Sequence, residues 1–190
     1  MSPMLRPLLV LFGLLSVMTG VIYPLAVTGI GKVAFPNQVS GSLVMREGKA
    51  VGSELIGQSF QEPKYFWGRV SATSPMPNNG LASGGSNFGP TNPALLDAVR
   101  ARILALKSAD PDNSSPIPVD LVTASGSGID PQISPAAAYY QVARVARERH
   151  LDAGKVRQLV SAHVEPPQWG IFGEARVNVL LLNLALDRAQ

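Results

Sequence analysis

From Pro7 to Gly31 the chain reads PLLVLFGLLSVMTGVIYPLAVTGIG without a single charged residue, bracketed by Arg6 and Lys32. A helix rises about 1.5 Å per residue, and about 20 apolar residues cross the hydrocarbon core of a bilayer, so this run can span with tilt to spare. A cleaved signal peptide would have a hydrophobic region of only about 7–15 residues and small residues at its cleavage site. This run is longer, has one arginine ahead of it and is followed by no A-x-A pattern. The expectation is a permanent single-pass anchor over 1–33, with Gly13, Ser16 and Gly20 on one face where another helix can approach closely. Pro24 falls near its far end, where a kink is tolerated. Arg6 on one side and Lys32, Arg46 and Lys49 on the other do not decide the orientation, because long domains translocate largely regardless of flanking charge.

The remaining chain, 34–190, is long enough for one core. Cysteine is absent, which excludes a disulfide scaffold, a thiol nucleophile and a cysteine zinc site. The formal net charge is +3, its basic residues scattered and aromatics few, so nucleic acid is not an expected partner. His150 and His163 fit no metal-ligand spacing, and no G-x-S-x-G elbow is present, so neither a metal site nor a hydrolase is expected.

Local patterns predict a mixed α/β chain, with the membrane helix followed by a single soluble α+β domain. GSLVMREGKAVGSELIGQ, Gly41–Gln58, alternates about a turn at Glu47-Gly48 and predicts a β-hairpin. PKYFWGRVSATS, Pro63–Ser74, has the content of an extended segment. Pro75–Pro93 is dense in Pro, Gly, Asn and Ser and reads as a long, turn-rich loop. Asn92-Pro93 opens an amphipathic helix with Leu95, Leu96, Val99, Ile103 and Leu106 as its apolar stripe. VDLVT, Val119–Thr123, reads as a short strand or extended lead. Ser134-Pro135 starts a helix through AAAYYQVARVARERH, Asp152 caps another with Val156, Leu159 and Val160 inward, and ARVNVLLLNLALDRA carries Val177, Leu180, Leu181 and Leu184 on a terminal stripe. Arg144, Arg147 and Arg149 read as a solvated face. Trp67 and Trp169 read as core or interface anchors, or as membrane-interface residues, and Asn178 and Asn183 as capping or interface groups.

VTASGSGIDPQISP, Val122–Pro135, resembles a phosphate cradle at first sight. A P-loop would need a lysine and a hydroxyl after the second glycine, and a dinucleotide fingerprint a third glycine where Pro131 stands. Two readings stay open. Ser125, Gly126, Ser127 and Gly128 can offer backbone N–H groups to an anion. Alternatively, Gly126 and Gly128 supply positive φ in a turn while Asp130 and Ser134 cap helices.

Several stretches together resemble one family. VIYPLAVTGIGKVAFPNQVSGSL, GSELIGQSF with YFWGRVSAT, GGSNFGPTNPALLDAVRARI, PVDLVTASGSGIDPQISPAAAYYQVARVA and RVNVLLLNLALD occur in the order found in the C subunit of the bacterial Kdp-type potassium-transporting ATPase, and cover nearly the whole chain. The segment His163–Gly173 is the least characteristic. The resemblance implies a non-catalytic accessory subunit needed for assembly and turnover, and a catalytic chaperone that raises the ATP affinity of the P-type ATPase subunit. Its implied partners are that subunit, the channel-like potassium-binding subunit and the membrane. No tightly bound cofactor is implied; ATP enters through the ATPase subunit. Gln141 matches the position proposed to contact nucleotide, beside Ser125–Gly128. The implied location is the plasma membrane with the N-terminus cytoplasmic and the bulk domain extracytoplasmic, a placement that separates the domain from cytoplasmic ATP. Docking is expected through the Pro75–Pro93 loop and the terminal helix. The alternative is a membrane-tethered nucleotide- or anion-binding protein using Ser125–Gly128.

Overall fold

A computed structural model describes residues 3–189, divided into two compact units that meet at Leu43 and Val44. In the first, α1 (Leu5–Val17), a π-helical turn (Met18–Ile22) and α2 (Tyr23–Ala34) form one helix of 30 residues, long and apolar enough to cross a membrane. The wide turn lies just ahead of Pro24, which has no N–H to continue the regular ladder, and the Tyr23 N–H bonds back five residues to Met18 O. Thr19 Oγ1 donates to Leu15 O at 2.8 Å across the same turn. A short helix, α3 (Pro36–Val39), follows.

The expected hairpin, β1 (Leu43–Arg46) and β2 (Lys49–Ser53), begins at the last residue of the first unit and otherwise belongs to the second. Glu47 and Gly48 both take positive φ, 51° and 77°, which matches the twist a two-residue hairpin turn needs. Asn92 caps α4 (Pro93–Ala109) by accepting from the Ala94 N–H. Leu95, Val99, Ile103 and Leu106 face inward as the stripe predicts, but Leu96 is half exposed.

VDLVT is a 3-10 turn over Val119–Leu121 rather than a strand. The body is built from β3 (Gln132–Ile133), α5 (Pro135–Tyr140), α6 (Val142–Arg149), α7 (Ala153–Ala162), β4 (Val164–Glu165), β5 (Arg176–Asn178) and α8 (Val179–Arg188). Its sheet runs β3-β5-β4, antiparallel throughout, with Ile133 and Val164 both opposite Val177. Ser134, Asp152 and Asn178 cap α5, α7 and α8 with their side chains, accepting from the Ala137, Lys155 and Leu181 N–H groups.

Two helical expectations are corrected. The helix expected from Ser134 to His150 breaks at Gln141, whose N–H bonds three residues back to Ala138 O while its own carbonyl accepts from Val145. The terminal stripe also shifts. Val177 lies in β5, and α8 buries Val179, Leu180, Leu182, Asn183 and Leu186, leaving Leu181 and Leu184 half-buried. One face of that helix is therefore core.

Pro63–Ser74 is extended, yet among the described residues only Val70 makes a ladder contact, an isolated parallel bridge to Ala124. Phe66 is fully buried, and Asn183 serves its backbone in place of a neighbouring strand: the Phe66 N–H donates to Oδ1 at 2.9 Å and Nδ2 donates to Phe66 O at 3.0 Å. Asn183→Leu keeps the branched shape, with a bulkier end, but orphans both backbone groups. It is expected to lower stability by on the order of 3 kcal/mol, read by denaturant unfolding of the chain in detergent.

Candidate functional site

The expected site residues fall on two parts of the body. Ser125 and Gly128 are buried, Gly126 and Ser127 exposed. The Ser125 N–H donates to Val70 O, and its Oγ accepts from the Gly128 N–H at 2.7 Å, closing the turn from within. Ser127 Oγ accepts from the Ile129 N–H at 3.3 Å. The carbonyls face the turn-rich loop: Ser127 O accepts from the Gly84 N–H and Ser83 Oγ, both at 2.9 Å, and Gly128 O accepts from Ser71 Oγ at 2.5 Å. Gly128 has φ 69°, and a Cβ there would lie 2.4 Å from Gly84 O and 2.5 Å from Thr73 Cγ2. Gly126 has open space at that position. Only Gly128 needs to be glycine, for both its handedness and its close approach.

Asp130 caps no helix. It accepts from the Gln132 N–H at 3.0 Å and pairs with Arg69 at 3.1 Å. Ser134 caps α5 as predicted and is itself held by Asp120, which accepts from its N–H at 2.7 Å and its hydroxyl at 3.2 Å.

Gln141 is 1% exposed. Its Oε1 accepts from the Trp67 N–H at 2.8 Å and from Arg144 Nη2 at 2.6 Å. Its Nε2 donates to Trp67 O and Ala137 O, both at 3.1 Å. Two acceptances and two donations complete the side-chain amide's hydrogen bonding, so a ligand reaching Gln141 would have to displace one of these internal partners.

Arg144 and Arg149 do not form the solvated face expected of them; Arg147 does, and pairs with the buried Asp110 at 2.8 Å. Arg144 donates to Pro63 O and, at 3.0 Å, to Tyr65 O, and its guanidinium lies 4.6 Å from the Trp67 ring centroid. Arg149 donates to Lys64 O at 2.9 Å and pairs with Asp187 at 2.7 Å. Arg102 reaches in from α4, donating to Gly68 O and Leu121 O, 5.0 Å from the same Trp67 ring. Burial pushes the Arg144 pKa down to about 10 and lowers that of Arg102 as well. Both remain cations at neutral pH, held by carbonyl dipoles and the indole face. Helical periodicity places these arginines on a helix surface; it carries no sign that a neighbouring segment will cover that surface.

A cleft of about 350 Å³ lies between α4 and the Gln58–Ser71 segment, lined by Phe60, Arg69, Phe88, Val99 and Arg102. Among the described residues no group of His, Asp and Glu is arranged to hold a metal ion.

The Trp67 clamp, the Gly-Ser turn and the long apolar helix lie in stretches shared with known proteins. Residues 5–188 match the KdpC family, the K+-transporting ATPase c chain. The chain belongs to the KdpC family. It is 65% identical over 187 residues to a potassium-transporting ATPase KdpC subunit of Dechloromonas aromatica (strain RCB), covering 98% of each chain. It is 66% identical over 183 residues to the same subunit of Ralstonia nicotianae, covering 96% of this chain and 90% of that one. A KdpC subunit of Janthinobacterium sp. (strain Marseille) is 63% identical over 188 residues, covering 99% of this chain and all of the other. The family resemblance in the motifs is thereby borne out along the whole chain.

Two substitutions separate internal support from ligand contact. Gly128→Ala is expected to destabilise by about 2 kcal/mol or more, whereas Gly126→Ala stays within about 0.5 kcal/mol. Gln141→Leu is expected to lower stability by on the order of 3 kcal/mol without any nucleotide present, because it orphans the Trp67 N–H and carbonyl. Unchanged unfolding curves for Gln141→Leu would return that side chain to the pool of ligand contacts.

Proposed function

We propose that this KdpC-family chain is a non-catalytic accessory subunit of an ATP-driven potassium uptake complex. A single membrane helix holds it to the channel-like potassium-binding subunit and the P-type ATPase subunit, with the folded body on the extracytoplasmic side. The observation that carries this reading is the internal engagement of the body's buried polar groups. Gln141, Asn183, Arg144 and Arg149 hold the Pro63–Gly68 backbone, and Ser125 closes its own turn. Side chains engaged this way build a rigid shape for docking rather than a poised reaction site.

In this proposal the chain supports assembly and turnover, and raises the ATP affinity of the ATPase subunit by favouring one state of the complex. Direct nucleotide contact at Gln141 is not required. Such an effect is a coupling free energy, so ATP binding must in turn strengthen the hold of the complex on this chain by the same factor. Ser125, Gly126, Ser127, Gly128 and Gln141 then act as internal supports of the body. The Kdp relatives named above are potassium-transporting ATPase subunits by name, which supports the potassium assignment.

The lack of cysteine gives a clean test of placement. Ser108 is exposed near the end of α4. Ser108→Cys is expected to react with a membrane-impermeant maleimide in cells whose outer membrane alone has been permeabilised. Labelling that appears only after lysis of the inner membrane would place the body in the cytoplasm and favour the nucleotide-binding alternative.

A further inference from the structure

Between Glu165 and Glu174 the chain carries no charge: Pro166, Pro167, Gln168, Trp169, Gly170, Ile171, Phe172 and Gly173. The segment is nevertheless ordered. Gln168 and Phe172 form an antiparallel bridge, the Gln168 N–H donating to Phe172 O at 2.9 Å and the Phe172 N–H to Gln168 O at 3.0 Å. Gly170 N–H closes the tip on Pro167 O at 2.9 Å. Trp169 sits in the left-handed region at φ 55°, a conformation that costs an aromatic residue energy and persists only where the surroundings enforce it. The Trp169 and Phe172 rings meet edge to face, centroids 5.9 Å apart at 75°.

For all this order, the apolar side chains at the tip are bare: Trp169 is 81% exposed, Ile171 79% and Phe172 59%. The tip stands on β4 and β5, whose Glu165 and Arg176 side chains pair at 3.0 Å across its base. A pre-ordered aromatic projection on a firm base has the form of an interface anchor, because little conformational freedom is left to lose on docking.

Charge selects the kind of partner. An anionic bilayer surface is approached by lysine and arginine. Here the flanking groups are Glu165 and Glu174, and the nearest arginine, Arg176, is already bound to Glu165. Glu174 has no ion-pair partner among the described residues. A protein socket with apolar walls and a basic side chain at its rim complements both features.

We infer that the Trp169–Phe172 turn is a docking knob that seats in an apolar, basic-rimmed socket on another subunit of the transport complex, with Glu174 meeting the basic group. The inference rests on the accessory-subunit reading above and adds to it the surface that docks.

The test replaces Trp169 by the photo-crosslinker p-benzoylphenylalanine in the full chain, co-expressed with the other subunits, and irradiates the membranes. The expected result is a covalent adduct to a subunit of the complex, its yield reduced roughly tenfold by Glu174→Lys or by the pair Ile171→Ser and Phe172→Ser. Those substitutions fall on exposed positions and are expected to leave the melting temperature of the chain unchanged. An adduct to lipid alone, or no adduct while the chain still co-purifies with the complex, overturns the knob and leaves the accessory reading standing. A wild-type chain that co-purifies with no other subunit overturns the accessory reading, and the knob falls with it.

Discussion

One buried stretch of backbone organises the body. The Pro63–Gly68 segment enters the interior at Phe66 and Trp67 without a neighbouring strand, so the peptide groups of those two residues are satisfied by side chains. Asn183 from α8 takes both groups of Phe66, and Gln141 from the α5–α6 junction takes both groups of Trp67. Arg144 and Arg149 take the carbonyls of Pro63, Tyr65 and Lys64. A typical intramolecular hydrogen bond adds only about 1 kcal/mol, but a buried peptide group left unpaired costs about 1–3 kcal/mol. The clamp is therefore conditional: each helix must sit where its amide or guanidinium reaches the segment, and the segment must lie where the helices can reach it.

The break between α5 and α6 follows from that demand. An uninterrupted helix would carry Gln141 on its regular ladder. The tighter turn at this residue accompanies a side chain directed onto Trp67, while Gln141 O still starts the next helix through Val145. Trp67 is bound on several sides, since its indole N–H donates to Glu62 O and its ring lies under the cations of Arg102 and Arg144. Arg102 belongs to α4, so the same ring ties that helix to the body through cation–π and carbonyl contacts, beside the Leu106 end of its apolar stripe.

A second polar junction joins the turn-rich loop to the Gly-Ser turn. Thr73 and Ser71 gather the Asn78 and Asn79 N–H groups and Met76 O, while Gly84, Ser83 and Ser71 donate to the carbonyls of Ser127 and Gly128. Backbone contact of this closeness demands small residues on both sides, which accounts for glycine at 128 and for a loop rich in serine and glycine opposite it. A composition that resembles a phosphate cradle here serves backbone against backbone.

Local chemistry wrote much of this in the sequence. An uncharged run of sufficient length specifies a helix able to cross a bilayer; Glu47-Gly48 specifies a hairpin turn; Asn92, Ser134 and Asp152 specify helix starts, because a capping oxygen acts on N–H groups only two or three residues away. The motifs likewise carried the family. The sequence did not disclose what depends on segments far apart in the chain. Asn183 and Phe66 stand 117 positions apart, Gln141 and Trp67 74 positions apart. No local pattern states that a glutamine or an arginine on a helix will be covered by a strand-like segment and turned into its hydrogen-bond partner. The tertiary structure alone decided that Arg144, read as solvated, is core, that α8 turns Asn183 onto the Phe66 backbone, and that Trp67 is enclosed while Trp169 projects, because burial is settled by what packs over a side chain and not by its neighbours in sequence.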